Sequence, residues 1–203
     1  MKKIYLTALL IIGFIVSTNA QQFYWTTNWE ISKGVGDTGD FIESVNFRGI
    51  SFDGRYFINE NVTVGGFVSW NALYDKLKNL PPIEFEDDGL VGHVSGTQVH
   101  YLNVFPILAN MHYFFDADGK IKPYAGIGLG GVYVEQRNDI GFRSFNSDSF
   151  GFAAQPEIGV FIPFNSYSGT GINLAVRYLY GSSAGELKSL SMLNFAIGFG
   201  FMR

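Results

Sequence analysis

The chain has 203 residues, a formal net charge of −4, no cysteine, 25 glycines and an aromatic fraction of 17%. The lack of cysteine excludes a disulfide scaffold, a thiolate metal site and an acylated lipoprotein cysteine. The lack of a long basic run leaves no surface for a polyanion, so no nucleic-acid partner is expected.

The first twenty residues, MKKIYLTALLIIGFIVSTNA, set Lys2 and Lys3 ahead of an uncharged apolar run from Ile4 to Val16. Thr18-Asn19-Ala20 then supplies the small residues that a signal peptidase reads. The run is short for a helix crossing about 30 Å of hydrocarbon. Residues 1–20 therefore read as a cleaved signal peptide, and residues 21–203 as one exported domain. That domain keeps twelve basic against eighteen acidic residues, a net charge of −6. It has no segment suited to a transmembrane helix. Any crossing must use strands.

Alternation with a period of two recurs along the exported domain. In FYWTTNWEIS, Phe23, Trp25, Trp29 and Ile31 share a face opposite Tyr24, Thr26, Asn28 and Glu30. The second run sets Ile50, Phe52 and Tyr56 against Ser51, Asp53 and Arg55. The third sets Val62, Val64, Val68, Trp70 and Tyr74 against Thr63, Gly65, Ser69 and Asn71. A fourth, VHYLNVFPILANMHYFF, is apolar on both faces, and its parity stays ambiguous. The fifth puts Ala125, Ile127, Leu129 and Tyr133 against Gly126, Gly128 and Gly130. The sixth puts Phe150, Phe152, Ile158, Val160 and Ile162 against Gly151, Ala153, Gln155, Glu157 and Gly159. The seventh opposes Ile172, Leu174, Val176, Tyr178 and Tyr180 to Asn173, Ala175 and Arg177. The last, NFAIGFGFMR, opposes Phe195, Ile197, Phe199 and Phe201 to Asn194, Ala196, Gly198 and Gly200.

Eight strands result, and their connections alternate in length. Those after odd-numbered strands are generally the longer, up to DKLKNLPPIEFEDDGLVGHVSGTQ, against NEN, DADGK and NSYSGTG after even ones. Aromatics gather at strand ends, as in Tyr24-Trp25, Trp70 with Tyr74, and Tyr113-Phe114-Phe115. A solvent that accepts a wall of phenylalanine, but cannot satisfy a strand edge, is lipid. The expected fold is all-β: an eight-stranded antiparallel up-and-down transmembrane β-barrel, apolar outside, with glycine and charge turned toward a side-chain-filled axis. Arg48 breaks this pattern and fits only at a rim, where its stem lets the charge reach water. A soluble eight-stranded barrel such as a lipocalin would need the opposite orientation.

These residues resemble the small eight-stranded outer-membrane barrels of Gram-negative bacteria, OmpA-like, OmpX-like and OmpW-like, and most of all the generic outer membrane protein beta-barrel group. DGRYFINENVTVGG is similar to that group's second hairpin, KPYAGIGLGG to its fifth strand and PEIGVFIPF to its sixth. The resemblance implies an outer-membrane location, with membrane lipid and lipopolysaccharide as surroundings. It also implies that GFGFMR, through Gly198 and Phe201, is the signal read by the barrel-assembly machinery, although two residues follow the aromatic here. The peptidoglycan-binding domain of OmpA is not carried over.

Glu30, Asp53, Arg55, Glu157 and Arg177 form the inward polar cluster, with Glu157 and Arg177 at comparable heights on adjacent strands. A structural plug is the expectation, since buried charge is costly unless partnered; a gate that exchanges partners is the alternative. His93 and Ser95 in GHVSG resemble a short motif of barrel-borne lipid A deacylases, but no orienting acid accompanies them, so no catalytic residues are expected. His100 and His112 are not spaced as metal ligands, and neither a metal nor a cofactor is expected. The acidic run EFEDDG reads as a solvated loop, with divalent-cation bridging as its alternative. Arg137, Asp139, Arg143 and Asp148 form a mixed-charge surface suited to sugar or protein. The expected role is structural or surface-interacting through the outer loops, non-enzymatic, with an unknown external ligand. An OmpW-like porin for small apolar solutes is the alternative, and a lipid A-modifying enzyme is a third reading.

Overall fold

The structure, a computed structural model, describes residues 22–77, 83–87, 90–94, 98–140, 143–165, 169–182 and 189–203. Its elements are β1 (Phe23–Gly34), α1 (Asp37–Phe41), β2 (Gly49–Phe57), β3 (Val62–Leu77), β4 (Ile83–Asp87) and β5 (Leu90–Val94). They continue with β6 (Gln98–Phe114), β7 (Lys122–Ile140), β8 (Arg143–Pro163), β9 (Thr170–Gly181) and β10 (Leu190–Met202). Eight of the strands close in the order β1-β10-β9-β8-β7-β6-β3-β2, each antiparallel to its neighbours. Closure is made by β1 and β10, in register from Tyr24 opposite Met202 to Gly34 opposite Met192. No described helix is long and apolar enough to cross a membrane.

Side-chain direction follows the alternation. Along β1, Tyr24, Thr26, Asn28 and Glu30 are buried, while Trp25 and Trp29 lie outside. All three tryptophans of the chain are on the outer surface. Trp25 and Tyr56 stand near the end that carries the termini, and Trp29, Trp70, Tyr133 and Tyr180 stand toward the other. Rings with an apolar body and a polar edge prefer the headgroup level, so two such bands bound a hydrocarbon slab. The ambiguous fourth run resolves with its even positions inward: Leu108 is 3% exposed and Ile107 68%. Its parity was hidden because lipid covers one face and an apolar stretch of lumen the other.

Three connections hold structure that alternation did not reveal. The second long one contains the β4–β5 hairpin. The third is largely strand, because β7 and β8 stay paired from Lys122 opposite Phe161 up to Ile140 opposite Arg143. Above the bilayer both faces of that ribbon meet water, so no apolar alternation marks it. The first contains α1, entered through Gly36, whose φ of 58° is a left-handed value that favours glycine. Arg48 is exposed just before β2, with its guanidinium carbon 5.8 Å from the Tyr74 ring centroid, at the rim.

The lipid-facing assignment gives a direct expectation. Ile158→Arg, near mid-height on the outer face, should cost about 2–4 kcal/mol in equilibrium unfolding from lipid vesicles. The unboiled protein should also run at a different apparent mass from the boiled one on a denaturing gel.

Candidate functional site: a layered lumen

Inward residues sort into three layers by height. Nearest the termini, Tyr24, Phe57, Phe114, Tyr124 and Phe161 pack as an aromatic floor. Tyr24 meets Phe161 edge-on at 5.3 Å between centroids and Phe114 at 5.7 Å. Glycine makes the room. A Cβ on Gly159 would stand 2.5 Å from the Tyr124 hydroxyl, and one on Gly126 2.2 Å from the His112 ring.

Above the floor lies a charged layer. Glu157 on β8 and Arg177 on β9 are direct cross-strand partners, with Arg177 Nε 3.1 Å from Glu157 Oε2. Arg177 Nη1 also donates to Glu30 Oε1 at 2.5 Å and to Ser51 Oγ at 3.1 Å. Its guanidinium carbon lies 4.8 Å from the Phe67 ring centroid. Arg55 pairs with Asp53 and, across the lumen, with Glu157 Oε1 at 3.1 Å. Its guanidinium covers the rings of Tyr124 and Tyr24. Glu30, Asp53, Arg55, Glu157 and Arg177 are thus all brought into one network, fully or almost fully buried.

Glu157 is the hub. Besides both arginines it takes the Tyr124 hydroxyl at 2.9 Å and has His112 Nε2 3.3 Å away. Asn110 Nδ2 donates to Asp53 at 2.9 Å, and the Tyr24 hydroxyl to Asn173 at 2.9 Å. His112, Asn110, Tyr124 and Asn173 were not singled out from the sequence as part of this cluster. Their signal was parity alone, which was unreadable in β6 until its inward face was known.

The third layer is aliphatic. Phe67, Leu73, Leu102, Val104, Leu108, Val132, Val134, Ala153, Leu179, Leu190 and Met192 close around Ile42, which comes from the connection after β1. That connection folds inward over the mouth. Phe41 stacks on His100 of β6, with ring centroids 4.1 Å apart, and its carbonyl lies 2.7 Å from His100 Nδ1. At the other end of α1, Thr38 Oγ1 accepts the Ser191 amide of β10 at 3.0 Å. The Asp75 carboxylate receives the Glu43 amide at 2.9 Å, the Ser44 amide at 3.1 Å and the Ser44 hydroxyl at 2.9 Å. Burying an isoleucine side chain is worth about 1.5–3 kcal/mol. Ile42 was not identified from the sequence, because it stands in a polar, glycine-rich stretch.

Outside the lumen, Arg137 and Asp139 pair on the β7–β8 ribbon, with Arg137 Nη2 2.7 Å from Asp139 Oδ2. The Arg137 and Ser144 hydrogen bonds hold the Asp139 carboxyl below its ordinary range. Asp148 stands opposite Glu135 on the same ribbon. The side chains of His93, Arg143 and the EFEDDG run, and Ser95 itself, lie outside the described residues. Among the described residues no group of His, Asp and Glu is arranged to hold a metal ion.

A closed antiparallel sheet with phenylalanine outside and sealed charge along its axis is a membrane-spanning barrel of small size. The chain belongs to the outer membrane protein beta-barrel domain family, whose model matches residues 6–202. It is therefore an outer-membrane β-barrel protein. Among solved structures it is similar to Ail, the attachment invasion locus protein of Yersinia pestis, crystallised with the heparin analogue sucrose octasulfate. The identity is 11% and the TM-score 0.52, over 90% of this chain and 99% of Ail. It is similar to Neisserial surface protein A at 15% identity and a TM-score of 0.51, over 90% and 97% of the two chains. OprG of Pseudomonas aeruginosa matches at 15% identity and a TM-score of 0.50, over 91% and 96%. At these identities the likeness is one of fold. Comparison with curated proteins gives no match.

Two outcomes follow from this geometry. Arg177→Met removes the arginine partner of Glu30, while Glu157 keeps Arg55 and Tyr124, and should destabilise by about 3–5 kcal/mol in urea titration of the vesicle-inserted protein. The double variant Arg177→Met with Glu30→Gln should recover part of that loss. At the mouth, burial alone would raise the Asp75 carboxyl, but the hydrogen bonds from Ser44, Lys76 and Glu43 outweigh it and hold it below the ordinary range. A lowered carboxyl stabilises at pH values above its unfolded value, about 3.9, and that contribution is lost as pH falls through the folded value. Amide exchange at Glu43 and Ser44 should therefore accelerate only in strong acid.

Proposed function

We propose that this protein is a sealed outer-membrane scaffold that presents its outer connections to an external partner. The observation that carries this reading is the complete burial of Arg55 and Arg177, each engaged by carboxylates between an aromatic floor and an aliphatic layer. Two guanidinium groups locked in this way leave no continuous water path along an eight-stranded axis. The accessible chemistry is then at the outer end, on the β7–β8 ribbon with Arg137, Asp139 and Asp148 and on the long acidic second connection. A domain charge of −6 disfavours a sulfated ligand of the kind bound by Ail and favours a protein or a neutral glycan. In this reading residues 1–20 direct export and are removed. The last strand, through Gly198 and Phe201, engages the assembly machinery, and lipopolysaccharide surrounds the outer half. No catalytic role is proposed.

A second reading is supported by the aliphatic upper layer, which would suit an OmpW-like passage for small apolar solutes. Planar-bilayer recording bears on the scaffold reading. Wild-type protein should show no steady conductance, and Glu157→Gln or Arg177→Gln should introduce flickering openings. A steady ohmic conductance in wild type, unchanged by either substitution, would overturn the sealed scaffold.

A further inference from the structure

We infer that the outer rim carries two complementary side surfaces, a basic one centred on β2 and an acidic one on β7–β8, which join copies of this chain head-to-tail in the membrane plane. The inference concerns the wall of the barrel and holds whether or not the lumen is sealed.

Outward charge is divided between the two sides. Lys33 of β1, Arg48 immediately before β2 and Lys76 of β3 are exposed at the outer ends of three neighbouring strands. None of the three forms an ion pair among the described residues. The outward positions of β1, β2, β3 and β6 carry no carboxylate. Across the barrel, Glu135 of β7 and Asp148 of β8 are exposed and stand directly opposite each other in the ladder. Like charges placed in this way repel. The neighbouring Arg137 is engaged by Asp139 and lies over the Tyr101 ring. The carboxylate pair therefore calls for a cation from outside, as the basic side calls for an anion.

The two sides face opposite ways. β2 and β8 are four places apart in either direction around the ring of eight strands. They share the outer rim, since paired residues run from Arg48 through Ala72, Asn103 and Glu135 to Asp148. Strand tilt lifts the β8 end of that row, and the basic side reaches up to match it. The Arg48 guanidinium is drawn outward to 5.8 Å from the Tyr74 ring centroid, and Lys76 stands beyond Tyr74 on the same face.

A lipid phosphate would neutralise the basic side and be repelled by the acidic one. A second copy satisfies both. Because the two surfaces lie on opposite flanks of one barrel, the contact is heterologous and does not close, so copies form a row. Apolar contact does little to select the partner, because lipid tails cover the rest of the wall as well as protein does. Charge at the rim decides.

The test uses the chain inserted in phosphatidylcholine vesicles, whose headgroups have no net charge. Ala72→Cys, beside Arg48, and Phe152→Cys, inward of Asp148, place one cysteine on each side of a chain that has none. A short bismaleimide should join a mixture of the two single-cysteine chains into dimers, join neither chain to itself, and give a ladder when both cysteines are in one chain. Lys33→Glu with Arg48→Glu should abolish the ladder. Adding Glu135→Lys with Asp148→Lys should restore it, with heat-modifiable gel mobility showing that each variant is folded. No dimer from the mixture, equal yields from either single-cysteine chain by itself, or no recovery in the folded fourfold reversal would overturn the row. A ladder that vanishes when lipopolysaccharide is added to the vesicles would assign the basic side to lipid phosphate and overturn it too.

Discussion

The controlling constraint is the backbone hydrogen bond in a medium without water. Every amide and carbonyl of a strand at bilayer depth must find a partner within the protein, because lipid supplies none. That requirement joins β1 to β10, along eleven registered pairs from Tyr24–Met202 to Gly34–Met192. Once the sheet is closed, the side chains have only two places to go, outward into hydrocarbon or inward onto a narrow axis. Inward groups then determine one another. Gly126 and Gly159 are bare because His112 and Tyr124 occupy the volume their side chains would need.

How much of this can be read from the sequence depends on how different the two sides of a strand are. In β1, β2, β9 and β10 one face meets lipid and the other a polar or small-residue lumen, so the alternation from Trp25 to Ile31 or from Phe195 to Phe201 is plain. In β6 the contrast vanishes: Leu102, Val104 and Leu108 face an aliphatic lumen layer while Phe105 and Ile107 face lipid. The outer tip of β8 fails for the opposite reason, since successive residues from Ser144 to Ser149 are exposed or half-exposed on both faces.

The charged layer divides in the same way. The adjacency of Glu157 and Arg177 can be counted from the short turn joining their strands. The bond from Arg55 to Glu157 cannot, because β2 and β8 are not neighbours in the wall and meet only through the curvature of the closed sheet. The inward course of the first connection is equally illegible. Its glycines permit many paths, and only the shape of the aliphatic layer selects the one that buries Ile42.

The aromatic floor makes the two ends of the barrel unequal. Tyr24, Phe57, Phe114, Tyr124 and Phe161 form a stopper of rings on the terminal side, whereas among the described residues the opposite mouth is covered by a five-residue helix and its flanks. The molecule is closer to a cup than to a tube. The stopper of rings therefore gives the lumen one blind end, on the side of the termini.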